Sequence, residues 1–405
     1  MYVLRMAIRN VRRCGCRSFL CMLICAFATL LLNLYMGNIE DLRKTLQKLP
    51  EAMEVSAKIS NLDGSMDQGL KIEAELVSNL LTSGHVSEPS VTVQLLAGFG
   101  FFSQEEWQAN LTLQARGVNS LAGAGLRQEN ITLQEGSTLD FLAEDGQKCL
   151  LDRSVMEENG YVTGDTIPIT VYYYRYGDYH QIFCEPLSQC EYEIAGTVDA
   201  PGRTEDVYPE LILPIKAVEN SYIRAGIPFL ADSFSFMVKN PLELNAFKEE
   251  MHSFGLLPVS AGSELHYEGN ALVVQDETFI KAAERIEENL TLLQGFFPLI
   301  AAITAGVGYL TAHLFVQNRR QEYALLRSAG LGRTKSSLMF FLEYVLLAVC
   351  GCVCGCLCAQ FCMSGGWRRL LTAAVIFLGC SLPGTLAALI SMGRGSVMQI
   401  LTQKD

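Results

Sequence analysis

Four stretches of this chain run without charge, or nearly so, for about the length of a membrane helix, and they bracket one long acidic region. A hydrocarbon core of ~30 Å takes about 20 apolar residues in a helix. Residues 18–36, 296–316, 338–362 and 370–392 meet that length; Glu343 alone interrupts the third and Pro383 lies in the fourth. Between the first and second runs lie residues 37–293, with 17 Lys and Arg against 40 Asp and Glu, whereas the rest of the chain holds 14 against 3. A uniform soluble enzyme rarely divides its charge this way; a soluble acidic domain held between basic-flanked membrane segments does. Nucleic acid is excluded as a partner of the middle region, because like charge repels phosphate. An apolar content of 50% excludes wholesale disorder.

The expected fold class is an α-helical membrane protein: four transmembrane helices, with a large α+β extracytoplasmic domain inserted between the first and second. Orientation follows the Lys and Arg of the short segments. Residues 1–17, a basic amphipathic segment, carry Arg5, Arg9, Arg12, Arg13 and Arg17. The loop at 317–337 carries Arg319, Arg320, Arg327, Arg333 and Lys335, and the tail at 393–405 adds Arg394 and Lys404. The short turn on the other side has Arg368 and Arg369. Both termini are therefore expected in the cytoplasm, with 37–293 outside the cell membrane. Bulky Leu34, Tyr35 and Met36 close the first run, and no small-x-small cleavage site follows it, so it reads as an uncleaved anchor.

Two helices are expected to join the outer domain to the bilayer, over about 37–49 and 276–295. In the first, Ile39, Leu42, Leu46 and Leu49 recur at helical spacing, with Pro50 as the stop. In the second, Phe279, Ala283, Ile286, Leu290, Leu293 and Phe297 form a coiled-coil-like seam that runs into the next span. The alternatives are a paired stalk and a single amphipathic helix lying on the domain. Between them, 54–60, 90–96, 111–116, 166–174, 193–198, 211–214 and 233–238 read as strands, and 70–81 and 242–254 as helices. Cys184 and Cys190 are candidates for a local disulfide, with Cys149 either unpaired or the alternative partner. Three glycosylation sequons, at Asn110, Asn130 and Asn289, carry little weight in a chain of this length.

Motifs for chemistry are missing. The nearest approach to a phosphate loop runs from Gly330 to Ser336, but Thr334 stands where a glycine must precede Lys335, and no strand leads into it. It reads as a helix break followed by a basic start. The five histidines are scattered, and no nucleophile elbow or paired-histidine zinc motif occurs. Cys350, Cys352, Cys354, Cys356 and Cys358 alternate, and a two-residue helical step turns about 200°, so they read as small membrane residues rather than one metal-binding face. Gly351 and Gly355 offer a close-packing face on the third span; Thr304, Gly308 and Ala312 do so on the second. Glu343 is either a functional intramembrane carboxylate or a group that reaches the interface or pairs with a nearby arginine.

The loop at 317–337 is the most informative segment. It reads as a short helix over 321–329 closed by Gly330, with Arg319 and Arg320 at the membrane surface and Tyr323, Leu325 and Leu326 left without chain of their own to bury against. Such a helix points to docking on another protein. Arg319, Arg320, Glu322, Ala324, Leu326, Arg327 and Gly330 resemble the loop signature of the FtsX-like permease family, which includes MacB-type ABC transporter subunits. Glu343 matches an acid early in that family's third span. Ala7-Ile8-Arg9-Asn10-Val11-Arg12-Arg13 is similar to its opening helix. Gly164-Asp165-Thr166, Gly196-Thr197-Val198 and Leu213-Pro214 resemble its outer-domain core, so the resemblance covers nearly the whole chain.

The resemblance implies a non-catalytic permease subunit that works with a separate cytoplasmic ABC ATPase and pairs with a second permease, identical or related. ATP and Mg would bind the ATPase, and this chain would hold no cofactor of its own. Arg319, Arg320, Glu322, Ala324, Leu325, Leu326, Arg327 and Gly330 become the expected coupling residues, and the stalks would pass motion to the outer domain. The task would be to export, extract or sense a peptide, lipid or antibiotic. The alternative is a non-transporting signalling subunit acting on an extracellular hydrolase or sensor partner. The cysteine-rich third span departs from the family, and Gln360 has no assigned role.

Overall fold

The structure is a computed structural model that describes residues 15–100, 113–176, 182–199, 209–260, 269–328, 330–362 and 366–393. Residues 1–14 and 394–405, including the opening motif and the basic tail, lie outside the described residues. In chain order the elements are α1 (Gly15–Ala52), β1 (Ser56–Ser60), β2 (Ile72–Glu73), α2 (Ala74–Thr82), β3 (Val86–Gly98), β4 (Leu113–Val118), β5 (Ile131–Leu133) and β6 (Lys148–Asp152). There follow α3 (Arg153–Asn159), β7 (Thr166–Tyr176), β8 (Ile182–Val198), β9 (Leu211–Pro214), α4 (Ile215–Ala225), β10 (Leu230–Ala231), β11 (Ser233–Val238), α5 (Leu244–Ser253), β12 (Leu257–Pro258) and β13 (Ala271–Val274). The chain closes with α6 (Glu277–Gln317), α7 (Arg320–Ser328), α8 (Arg333–Cys362) and α9 (Trp367–Gly393). It forms two compact units, residues 50–280 and residues 1–49 with 281–405.

The first unit is built on an eleven-stranded mixed sheet. Ten strands run in the order β12-β13-β1-β11-β3-β4-β9-β6-β8-β5, and β7 pairs with β3 and β8. Strand pairs β4–β9 and β6–β8 are parallel, and most of the others are antiparallel. Alternation sets the faces: in β11, Phe234, Phe236 and Val238 are buried, while Ser235 between them is exposed. Helix α3 starts where the Asp152 carboxylate accepts from the Ser154 N–H at 2.9 Å, and it stops at Gly160. Val118, Leu126, Phe141, Leu150, Val198 and Ile212 join in one core.

The cysteine expectation for this domain is corrected. Cys184 and Cys190 are both free and both on β8. Six residues along an extended strand span about 20 Å at ~3.3 Å per residue, far beyond the reach of a disulfide. Cys149 is also free, and burial in β6 pushes its thiol up to about 12.

The second unit is helical. Helices α1, α6, α8 and α9 are each long and apolar enough to cross a membrane. Helix α1 runs two residues past Pro50, which falls in its last turn rather than stopping it. On α6, Ala283, Ile286, Leu290, Leu293 and Phe297 are buried or half-buried, while every residue between Ile286 and Phe297 outside that set is exposed. On α1, Leu42, Leu46 and Leu49 stand out the same way from the exposed residues between them, and Ile39 is half-buried. The Tyr35 hydroxyl donates to the Leu293 carbonyl, so the two helices touch here.

Small residues set the helix contacts. A Cβ on Gly351 would lie 2.6 Å from Cys25 Cβ, and one on Gly355 would lie 2.5 Å from the Ala26 carbonyl oxygen, so both glycines press against α1. On α6, Thr304, Gly308 and Ala312 are all buried, and a Cβ on Gly308 would lie 2.8 Å from Ser381 Cβ on α9. The thiols of α8 divide: Cys350, Cys354, Cys358 and Cys362 are exposed on one side, whereas Cys352 is buried. Cys21, Cys25 and Cys352 belong to the helical core with Phe340, Tyr344 and Phe377.

Candidate functional site

The loop between α6 and α8 folds around one arginine. Arg319 follows the last turn of α6, is 5% exposed, and points inward rather than lying at a surface. Its Nη1 group donates to the carboxylate of Glu343, which is fully buried on α8. Its Nε and Nη2 groups reach Glu322 at 2.9 and 2.6 Å. The guanidinium carbon sits 5.7 Å from the Phe315 ring centre and 5.3 Å from that of Phe340. Two carboxylates and two aromatic faces thus surround the cation. A buried charge survives only with such company, because desolvation without pairing costs several kcal/mol.

Glu343 pairs with a nearby arginine, as one of its readings had it. The pair bridges 24 residues of chain and ties the end of α6 to the interior of α8. Glu322, one turn into α7, is drawn onto the same cation, so the start of α7 is fixed at Arg319.

The rest of α7 is then held by its inner face. Tyr323 and Ala324 are buried; the Tyr323 ring lies 5.9 Å from Phe340, and its hydroxyl is 3.4 Å from Ser337 Oγ. Leu326 packs partly against the same core. This corrects the expectation that Tyr323 and Leu326 lack chain of their own to bury against. Leu325 alone of the three stays outside, 59% exposed, with Gln321 and Ser328 exposed on the same side of the helix. Arg327 is half-buried, and the Arg320 side chain lies outside the described residues. Gly330 follows with φ +89°, the left-handed turn that releases the chain into α8.

Sequence reasoning missed the rings of Phe315 and Phe340, four residues before Arg319 and three before Glu343. It also missed Tyr344, whose hydroxyl donates to the Gly308 carbonyl at 3.2 Å. The available signal was spacing: an aromatic one helical turn from each member of a buried ion pair. Asn33, buried in the first span and donating to the Thr29 carbonyl at 2.9 Å, went unnoticed because it is neutral.

Residues 295–365, which run from α6 through α7 and α8, match the family model for the FtsX-like permease C-terminal region. A solved structure of a domain of a protein described as a permease, from Porphyromonas gingivalis, aligns at 12% identity over 55% of this chain and 86% of its own, with a TM-score of 0.27. No curated protein matches the chain.

Proposed function

We propose that this chain is the membrane subunit of an ABC-type system of the MacB/FtsX kind, with ATP hydrolysed by a separate cytoplasmic ATPase that docks on α7. The match over 295–365 supports a permease, and that family generally works with a cytoplasmic ABC ATPase. The observation that carries the docking site is the two-sidedness of α7: Tyr323 and Ala324 buried, Leu325 59% exposed. A helix clamped on one side transmits a push on the other to whatever clamps it. Here the clamp is the Arg319–Glu343 pair, so force on α7 reaches α6 and α8 together. Helix α6 continues unbroken over 41 residues, which gives that force a lever out of the membrane. A second permease chain, identical or related, would complete the unit, and the work done is the export, extraction or sensing of a peptide, lipid or antibiotic.

Leu325→Asp tests the docking site without disturbing the clamp. Burying a leucine is worth about 1.5–3 kcal/mol, so the variant should lose at least tenfold in ATPase co-purification and in ATP hydrolysis stimulated by the chain. Thermal stability should be unchanged. Full retention of the ATPase by Leu325→Asp would remove α7 as its docking site. Glu322→Arg is a weaker test, because it also places a cation beside Arg319.

A further inference from the structure

At the inner end of the helical unit, α1 and α6 leave a cavity of about 120 Å³ between them. That is well above the ~10–15 Å³ a single water needs. Its lining is graded. Ser18, Asn318 and Arg319 stand at the end where the charged loop begins, and Leu20, Ile24, Leu314 and Phe315 continue into the apolar span. Leu20 and Leu314 are 59% and 54% exposed, so the cavity opens on the face that a bilayer covers.

The polar end is unfinished. Ser18 is 3% exposed, and its hydroxyl has no hydrogen-bond partner among the described residues. A buried hydroxyl left unpaired is costly. Arg319 uses three of its five N–H groups on Glu322 and Glu343, which leaves donor capacity at the same end. The flanking sequence is strongly basic, with Arg5, Arg9, Arg12 and Arg13 before α1, Arg17 in its first turn, and Arg320, Arg327, Arg333 and Lys335 after α6.

We propose that this groove holds one anionic phospholipid of the cytoplasmic leaflet, its phosphodiester at Ser18, Asn318 and Arg319 and an acyl chain along Leu20, Ile24 and Leu314. Hydroxyl, amide and guanidinium donors suit phosphate oxygens, and the basic sequence that flanks both helices favours a lipid of net negative charge over a zwitterionic one. Because Arg319 also holds Glu343 and Glu322, the bound headgroup would steady the clamp on α7. The inference rests on the membrane reading of the chain and is independent of any ATPase.

The test uses the full chain purified alone in mild detergent. Native mass spectrometry of the extracted chain should show one retained phospholipid. After delipidation, dioleoyl-phosphatidylglycerol should rebind at least tenfold more tightly than dioleoyl-phosphatidylcholine. Ser18→Leu removes the hydroxyl, and Leu20→Trp fills the mouth; each should cut retention of phosphatidylglycerol at least tenfold. Leu299→Trp, at another exposed position on α6, should keep it. If Ser18→Leu does not fold, Leu20→Trp still decides, because it alters an exposed side chain. Equal binding of the two lipids, or undiminished retention by Leu20→Trp, overturns the site. Loss of ATPase binding with lipid retained would instead indict the docking surface and leave this site standing.

Discussion

An arginine and a glutamate buried at 5% and 0% exposure make the sharpest single-residue commitment in the molecule. Breaking a buried pair by removing one member costs up to about 3–5 kcal/mol, and less here for Glu343→Leu because Glu322 still holds Arg319, whereas removing both is often close to neutral. Arg319→Leu and Glu343→Leu should therefore each lower the unfolding midpoint of the purified chain, and the double variant should recover most of the loss. Strictly additive losses would show that the two side chains do not act as a pair. A second prediction concerns Asp232 in the unit of residues 50–280, whose carboxylate accepts from the Gln94 N–H and lies near Arg116. Burial outweighs both favourable partners and pushes this acid up to about 6. A folded-state value above the unfolded ~4 means the native state holds the proton more tightly. The associated stabilisation is present below pH ~4 and is lost as pH rises through about 6. Asp232→Asn, whose amide oxygen can still accept from Gln94, should flatten the pH dependence of thermal stability in that window. A slope identical to that of the unmodified chain would assign it to other carboxylates.

At the scale of elements, the close contact of α8 with α1 gives the third prediction. Gly355 has no room for a methyl group, because a Cβ would meet Thr29 Oγ1 at 2.1 Å and the Ala26 carbonyl oxygen at 2.5 Å. Gly355→Ala should destabilise by about 1–3 kcal/mol despite its better helix propensity. Gly306→Ala, with nothing within 4 Å of the added atom, should be neutral or gain up to about 1 kcal/mol. Equal midpoints for the two variants would mean that α8 and α1 are not packed closely. This contact also shows what spacing reveals. That Gly351, Gly355 and Gly308 are interface positions was legible, since small residues four apart make a smooth helical face. That the first two meet α1 and the third meets α9 was not, because spacing describes one surface and not its partner. Strand β6 was illegible for another reason: its three apolar residues lie between Lys148 and Asp152, so the run is too short for either period to register, although the last four residues of the strand are buried. Cys184 and Cys190 misled because nearness in sequence means nearness in space only where the chain turns, and there it runs straight along β8.

For the molecule as a whole, the division of charge was the most informative reading, and the short helix α7 was legible through its motif. The direction of Arg319 was not. Arg319 and Arg320 are indistinguishable as neighbours, and only Glu343 with two rings, supplied by separate helices, decides that the first turns inward. The orientation inferred from the same charge division makes the last prediction. Twelve Lys and Arg on one side of the short segments against two on the other would put residues 37–293 outside the cell membrane and α7 in the cytoplasm. Glu135→Cys and Ser328→Cys put a reactive thiol on each unit at an exposed position. A membrane-impermeant maleimide added to intact spheroplasts should label Glu135→Cys above the background of the unmodified chain. Ser328→Cys should label only after the membrane is opened. The reverse pattern would invert the molecule, and an ATPase in the cytoplasm would then have no access to α7. Labelling of both before opening would mean that α6 does not span the bilayer at all. Either result would remove the physical basis for coupling through this loop, however well its sequence fits the family.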